Sequence, residues 1–354
     1  IRVPQCFQCC MTNADSPRLQ HNGKLCFLLL SLVLVLSCRQ GMEFDSSPRS
    51  NIEALWDIID RRYCFLPYKA ETIGLDWNRV REKYTAQVSP DMNSAQLFEV
   101  MSNMLAELQD GHVNLYYSAD MSRYWSWHED YPRNFDEDLR DRYLGKDYKI
   151  AAGLKYRILD DNTGYVVYES FSSGIGDGNI DEVLYYLRSC NGLILDIRGN
   201  GGGMLTNAER LTAHFTNQRT LVGYTMHKTG PGHNDFSTPQ PEYINPSTGI
   251  RWQKPVVLLT NRECYSSANV FVRNMKCLDN VTILGDRTGG GGGLPFTSEL
   301  PCGWAVRFSA CPTMDAQMQH TEFGIEPHIH CALDSADQAK GIDTLIEKAR
   351  TLLK

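Results

Sequence analysis

The chain has 354 residues, 42% of them hydrophobic and 22% charged, with 35 Lys+Arg against 42 Asp+Glu and a formal charge of -7. That mixture excludes a disordered chain, a collagen and a small disulfide-stapled scaffold, and it leaves ample core for one large domain or two smaller ones. No Lys/Arg run offers a phosphate-binding stripe, so nucleic acid is not an expected partner.

The strongly apolar run is Leu25 to Leu36, too short for a bilayer, which takes about 20 residues. It follows Arg18 and Lys24 and ends in Val35-Leu36-Ser37-Cys38, which predicts a secretory signal over residues 1–37. A cysteine directly after a small residue resembles a bacterial lipobox. Cys38 is therefore expected to be lipidated and to become the new N-terminus of an exported protein of the bacterial cell envelope, held to the membrane only through lipid. With Ile at position 1, Met11 is the expected start and residues 1–10 upstream read-through. The alternative is a buried N-terminal helix, but nothing amphipathic marks the run as one. Cys64, Cys190, Cys264, Cys277, Cys302, Cys311 and Cys331 follow without C-x-x-C spacing, so no metal and no cofactor is expected, and the sequence fixes no pairing.

Residues 38–50 are polar and read as a tether. Three helical patterns follow: Ile52, Leu55, Trp56 and Ile59; Trp77, Val80 and Tyr84; and the stripe Leu97, Phe98, Met101, Met104, Leu105 and Leu108. Asn93 with Gln96 resembles a capping box, and Asp110-Gly111 closes the last pattern. Residues 51–115 are thus expected to form a helical subdomain. Residues 116–354 are expected to form an α+β or α/β core. Residues 116–150 carry Trp125, Trp127 and Tyr131 without a periodic pattern. Leu154 to Leu159 and Tyr165 to Phe171 flank a turn and predict a hairpin. Then helices alternate with the short apolar strands Leu193–Ile197, Val256–Leu259 and Val281–Leu284, which implies a mixed sheet covered by helices. Trp304 to Ala310 alternates like an antiparallel edge hairpin, and a last helix is expected over Ser335 to Leu353.

Four constellations could carry chemistry. Asp196-Ile197-Arg198-Gly199-Asn200-Gly201-Gly202-Gly203 follows a buried strand and precedes a helix, so its backbone N–H groups can converge on an oxyanion. It lacks the last glycine of a dinucleotide loop and the Gly-Lys-Ser/Thr of a phosphate loop; the plain alternative is a tight turn. Cys264-Tyr265-Ser266-Ser267-Ala268 joins a strand to a helix, where a serine hydroxyl is exposed at the carboxyl end of a sheet beside helix N-terminal donors. A serine there could equally cap the helix. Asp110-Gly111-His112 and Glu322-Phe323-Gly324-Ile325-Glu326-Pro327-His328 complete the set.

In this order, the four resemble the tail-specific, or C-terminal processing, protease family over roughly residues 50–350. The resemblance implies a ClpP/crotonase-like core and a peptide or protein substrate. In the family the nucleophile lies three residues before a glutamate, in Ser-Ala-x-Glu, and aligning Phe271 places Ser266 there rather than Ser267. One branch uses a lysine about 25 residues downstream, where this chain has Gly291. The tricorn-like branch uses a histidine and a glutamate, which His112 and Glu322 match. Asn269 stands where the family usually has glutamate, and His328 where aspartate commonly follows the proline. No room remains between 116 and 150 for the PDZ module of many members. The implied roles are Ser266 as nucleophile, His112 as general base and Glu322 as the acid that orients it. The implied oxyanion hole is a backbone N–H of Gly201 or Gly202 with that of Ser267. The rival reading is a non-catalytic lipoprotein on the same fold, with Trp125, Trp127 and Tyr131 lining a pocket for a lipid, glycan or peptide.

Overall fold

A computed structural model describes residues 45–354, which pack as one unit. The expected signal segment and Cys38 lie outside the described residues. Among those described, no helix is long and apolar enough to cross a membrane, and no cysteine is paired.

Helices Pro48–Arg62, Leu66–Ile73, Trp77–Thr85 and Ser94–Ala106 come first. The predicted apolar stripes are their buried faces: Ile52, Leu55 and Ile59 on the first, and Leu97, Phe98, Met101, Met104 and Leu105 on the fourth. Asn93 and Gln96 form the reciprocal capping box. The second helix has no such stripe. Pro67 opens its first turn, and Gly74 ends it in the left-handed region at φ +68°.

The strands are β1 (Asn114–Tyr117), β2 (Asp120–Met121), β3 (Lys149–Ala151), β4 (Leu154–Ile158), β5 (Gly164–Tyr168), β6 (Leu193–Asp196), β7 (Thr220–Thr225), β8 (Gln240–Ile244), β9 (Val256–Thr260), β10 (Val281–Gly285), β11 (Gly293–Glu299), β12 (Ala305–Met314) and β13 (Ile329–His330). Seven of them form a mixed sheet in the order β13-β10-β9-β6-β5-β4-β3. The five from β13 to β5 run parallel, and the β4–β5 hairpin expected from the sequence is antiparallel. Alternate residues serve opposite faces, as a period of two requires. Leu193, Leu195, Val256 and Leu258 meet helices Asp177–Tyr186, Leu205–Ala213 and Ser267–Met275 on one face. Ile194, Val257 and Leu259 meet the C-terminal helix Thr344–Leu352 on the other. Both faces are covered, so the strands are mostly apolar, with Asp196 and Thr260 at the carboxyl ends of β6 and β9.

The second sheet is antiparallel, in the order β2-β1-β12-β7-β8 with β11 also on β12. The antiparallel hairpin expected around Trp304 to Ala310 is β11–β12, but β12 lies inside the sheet rather than at its edge. β12 is 10 residues long, with Val306 and Phe308 fully buried, and it pairs with β1, β7 and β11 along its length. The expected last helix is two, Ser335–Ala339 and Thr344–Leu352. Gly341 at φ +78° breaks it, and Asp343 caps the second piece.

Candidate active site

β6 and β9 lie side by side and parallel, and their carboxyl ends supply the two central loops. After β9 the chain turns sharply into the helix Ser267–Met275. Ser266 makes the turn in the left-handed region at φ 56°, ψ -121°, a conformation that costs a non-glycine residue roughly 1–3 kcal/mol. Its N–H donates to the Gly290 carbonyl at 2.9 Å, and its hydroxyl stays half-buried rather than sealed. Ser267 is buried, and its hydroxyl donates to the Gly203 carbonyl at 2.7 Å. The two serines thus differ in environment, although they are adjacent in sequence.

His112 brings Nε2 to 3.0 Å from Ser266 Oγ, which joins the two residues across 154 positions of chain. The imidazole is buried and rests against the Tyr265 ring, with centroids 4.9 Å apart. Burial drives its pKa down to about 4. The Asp110 carboxylate opposes that shift, and Arg307 adds to it. Nδ1 has no partner at hydrogen-bond geometry among the described residues, and the Gly293 carbonyl lies close enough to favour the cation without completing such a bond.

Glu322, expected to orient His112, makes no hydrogen bond to it among the described residues. Glu322 is buried, with Oε1 held by Lys69 Nζ at 2.9 Å and Oε2 by the Gly292 N–H at 3.0 Å. Neither oxygen bonds the imidazole among the described residues. Burial and the neighbouring Asp110 charge raise the Glu322 pKa to about 8 against the pull of Lys69. Asp110 is the better anion. It accepts from the backbone N–H of His112 at 2.7 Å, Tyr63 Oη at 3.0 Å, Ser309 Oγ at 2.9 Å and Tyr265 Oη at 3.4 Å. Burial pushes its carboxyl up, but Lys69, His112 and these donors outweigh it and hold it below the usual range.

The glycine loop lies against the Ser266 turn. Gly202 sits at φ +99°, and a Cβ there would lie 2.6 Å from the Tyr265 carbonyl oxygen and 2.9 Å from both Ser266 Cβ and Ser267 N. Its N–H, however, donates to Asn200 Oδ1 at 2.9 Å, which removes Gly202 from the expected oxyanion donors. Gly201 is exposed, and its N–H has no protein partner among the described residues. Ser267 opens its helix, so its N–H has no intrahelical acceptor.

Gly291, at the position of the family lysine, sits at φ +77°. A Cβ there would lie 2.6 Å from the Tyr265 ring. Asn269 is fully buried. Its amide donates to the Thr321 carbonyl at 3.1 Å and accepts from Thr288 Oγ1, tying the Ser266 helix to the Glu322 turn. His328 Nδ1 accepts from the Ile283 N–H at 3.0 Å and supports β10. Trp127 stacks on Tyr265 at 4.1 Å, against Gly111 and Gly289, and so braces the site. Trp125 and Tyr131 are exposed. A cavity of about 630 Å³ is lined by Tyr131 but by neither tryptophan.

The sequence profile of peptidase family S41 matches residues 162–331, and that of the tricorn protease C1 domain matches residues 44–106. A candidate peptidase from Parabacteroides merdae, known from its crystal structure, is 53% identical; the match covers 87% of this chain and 97% of that one, with a TM-score of 0.84. Carboxy-terminal processing protease CtpA of Bacillus subtilis is 25% identical over 177 residues, which is 49% of this chain and 36% of that protein. Mature CPAF is 12% identical with a TM-score of 0.66 over 87% of this chain and 96% of that one, a likeness of fold alone. The match spans 22% to 36% of the length of the curated relatives.

Proposed function

The chain belongs to peptidase family S41, and from that membership we propose that it is a serine peptidase with Ser266 as nucleophile and His112 as general base. The observation that carries this reading is the 3.0 Å contact between His112 Nε2 and Ser266 Oγ at the mouth of the glycine loop. Ser266 Oγ attacks the peptide carbonyl carbon while Nε2 takes its proton. The carbonyl oxygen gains the negative charge and is held by the N–H groups of Gly201 and Ser267; losing one such donor typically costs about 10²–10³ in turnover. The intermediate collapses, the C–N bond breaks, and His112 returns the proton to the leaving amine. Water then hydrolyses the acyl-enzyme by the same route.

In this scheme Asp110 supplies the negative charge that favours the imidazolium. Glu322 supports the base loop through Lys69 and Gly292 without bonding the ring. The substrate is a peptide or protein, as it is for the processing protease that the chain resembles. Digestion of a peptide library by the wild-type chain and by Ser266→Ala tests the reading. Products are expected from the wild type alone, and equal products from both would contradict it. The segment before Cys38 supports export and lipid tethering at the bacterial envelope. Mass spectrometry should find the mature N-terminus at a lipidated Cys38, and an intact upstream segment in the membrane fraction would exclude it.

A further inference from the structure

Lys69 lies on the second helix, and its side chain is wholly buried. Its ammonium has three neighbours: the Gln109 carbonyl at 2.9 Å, Glu322 Oε1 at 2.9 Å, and the Phe323 ring with its centroid at 4.4 Å. Each belongs to a catalytic segment. Gln109 immediately precedes Asp110-Gly111-His112 and holds φ 48°, a region unfavourable for a non-glycine residue. The other oxygen of Glu322 accepts the Gly292 N–H, and Gly290 in the same run accepts the N–H of Ser266. No contact joins Lys69 to Ser266 Oγ, and both polar partners engage its donors, so it is not placed as the base. A buried ammonium is tolerated only where such partners satisfy it.

We propose that Lys69 is a positioning residue for the peptidase reaction, coupling the base loop to the Glu322 turn and so holding His112 against Ser266. The proposal rests on the reading of Ser266 and His112 as the catalytic pair. It explains why a helix remote in sequence carries a buried cation, and why Glu322 bonds Lys69 and Gly292 rather than the imidazole.

The test compares Lys69→Met, Glu322→Gln and the double variant in the full chain, reading kcat and KM for a peptide substrate and the rate of fluorophosphonate labelling. If Lys69 and Glu322 act as one unit, each single variant lowers kcat about tenfold or more with KM within about twofold, and the double variant is no slower than the slower single. Lys69→Met also withdraws the positive charge beside Asp110, which then rests on its hydrogen-bond donors alone, so circular dichroism checks the fold of each variant, and Glu322→Gln, which keeps Lys69, is read by itself where Lys69→Met does not fold. Overturning results are a Lys69→Met or a Glu322→Gln chain with wild-type kcat and labelling rate, losses that multiply in the double variant, or a loss confined to KM. A wild-type chain that neither cleaves nor labels would instead remove the catalytic pair, and this proposal with it.

Discussion

In the proposed reaction His112 and Asp110 divide the work of the base between a ring and a charge. The ring is neutral because it is buried, and Asp110 remains ionised because its donors and Lys69 outweigh burial. A base must be unprotonated to act. With the His112 pKa lowered to about 4, the neutral form prevails above that pH, whereas an unperturbed histidine would need a pH above about 6.5. We predict that kcat/KM rises with pH through about 4 to 5 and is level by about 6; steady-state rates from pH 3 to 9 check this. A midpoint near 6.5 or higher would contradict the assigned environment, and a rise only above about 9 would indicate a lysine. Sequence motifs made Ser266, His112 and Glu322 legible as candidates. They left Asp110 as a helix terminator, because its role depends on Tyr63 and Ser309, 47 and 199 positions away. Lys69 was silent for the same reason: Glu322 is 253 residues distant, and the helix that carries Lys69 has no apolar stripe.

At the level of elements, the site is two strand ends and a glycine loop pressed together. The loop after β6 must pass within contact of the turn after β9, and at Gly202 only glycine has both the required φ and the space. Gly202→Ala is predicted to lower turnover by at least about a hundredfold, because the displaced loop carries the Gly201 donor. Parallel circular dichroism spectra should show the fold retained; a variant with wild-type turnover would refute the packing account. The alternation of short apolar strands with helices made the mixed sheet legible before the structure. The position of β12 was not, because alternation along one strand does not reveal how many neighbours it has. Asn269 is a similar case. Its departure from the family pattern acquires a reason only from Thr288 and Thr321, which take one acceptor and one donor from a neutral amide.

Across the whole molecule, Arg198 fastens the catalytic half to the chain terminus. Its guanidinium pairs with Asp196 through two hydrogen bonds, of 2.9 and 2.7 Å, and reaches Asp343 at 3.0 Å, the cap of the C-terminal helix. Tyr165 Oη completes the Asp196 shell at 2.9 Å. The Asp-x-Arg of the loop is thus structural, and Gly202 after it packs against the Ser266 turn. Breaking a buried pair typically costs about 3–5 kcal/mol, since two carboxylates would be left without their counter-charge. Arg198→Met should therefore lower the urea midpoint markedly, and an unchanged midpoint would show that the network contributes little. The central claim, that Ser266 is the nucleophile served by His112, is tested most directly by mapping a fluorophosphonate adduct by mass spectrometry in the wild type, Ser266→Ala, Ser267→Ala and His112→Ala. The account predicts an adduct on Ser266 in the wild type and in Ser267→Ala, none in Ser266→Ala, and labelling slowed by orders of magnitude in His112→Ala. An adduct on Ser267, or labelling that survives Ser266→Ala, would contradict it.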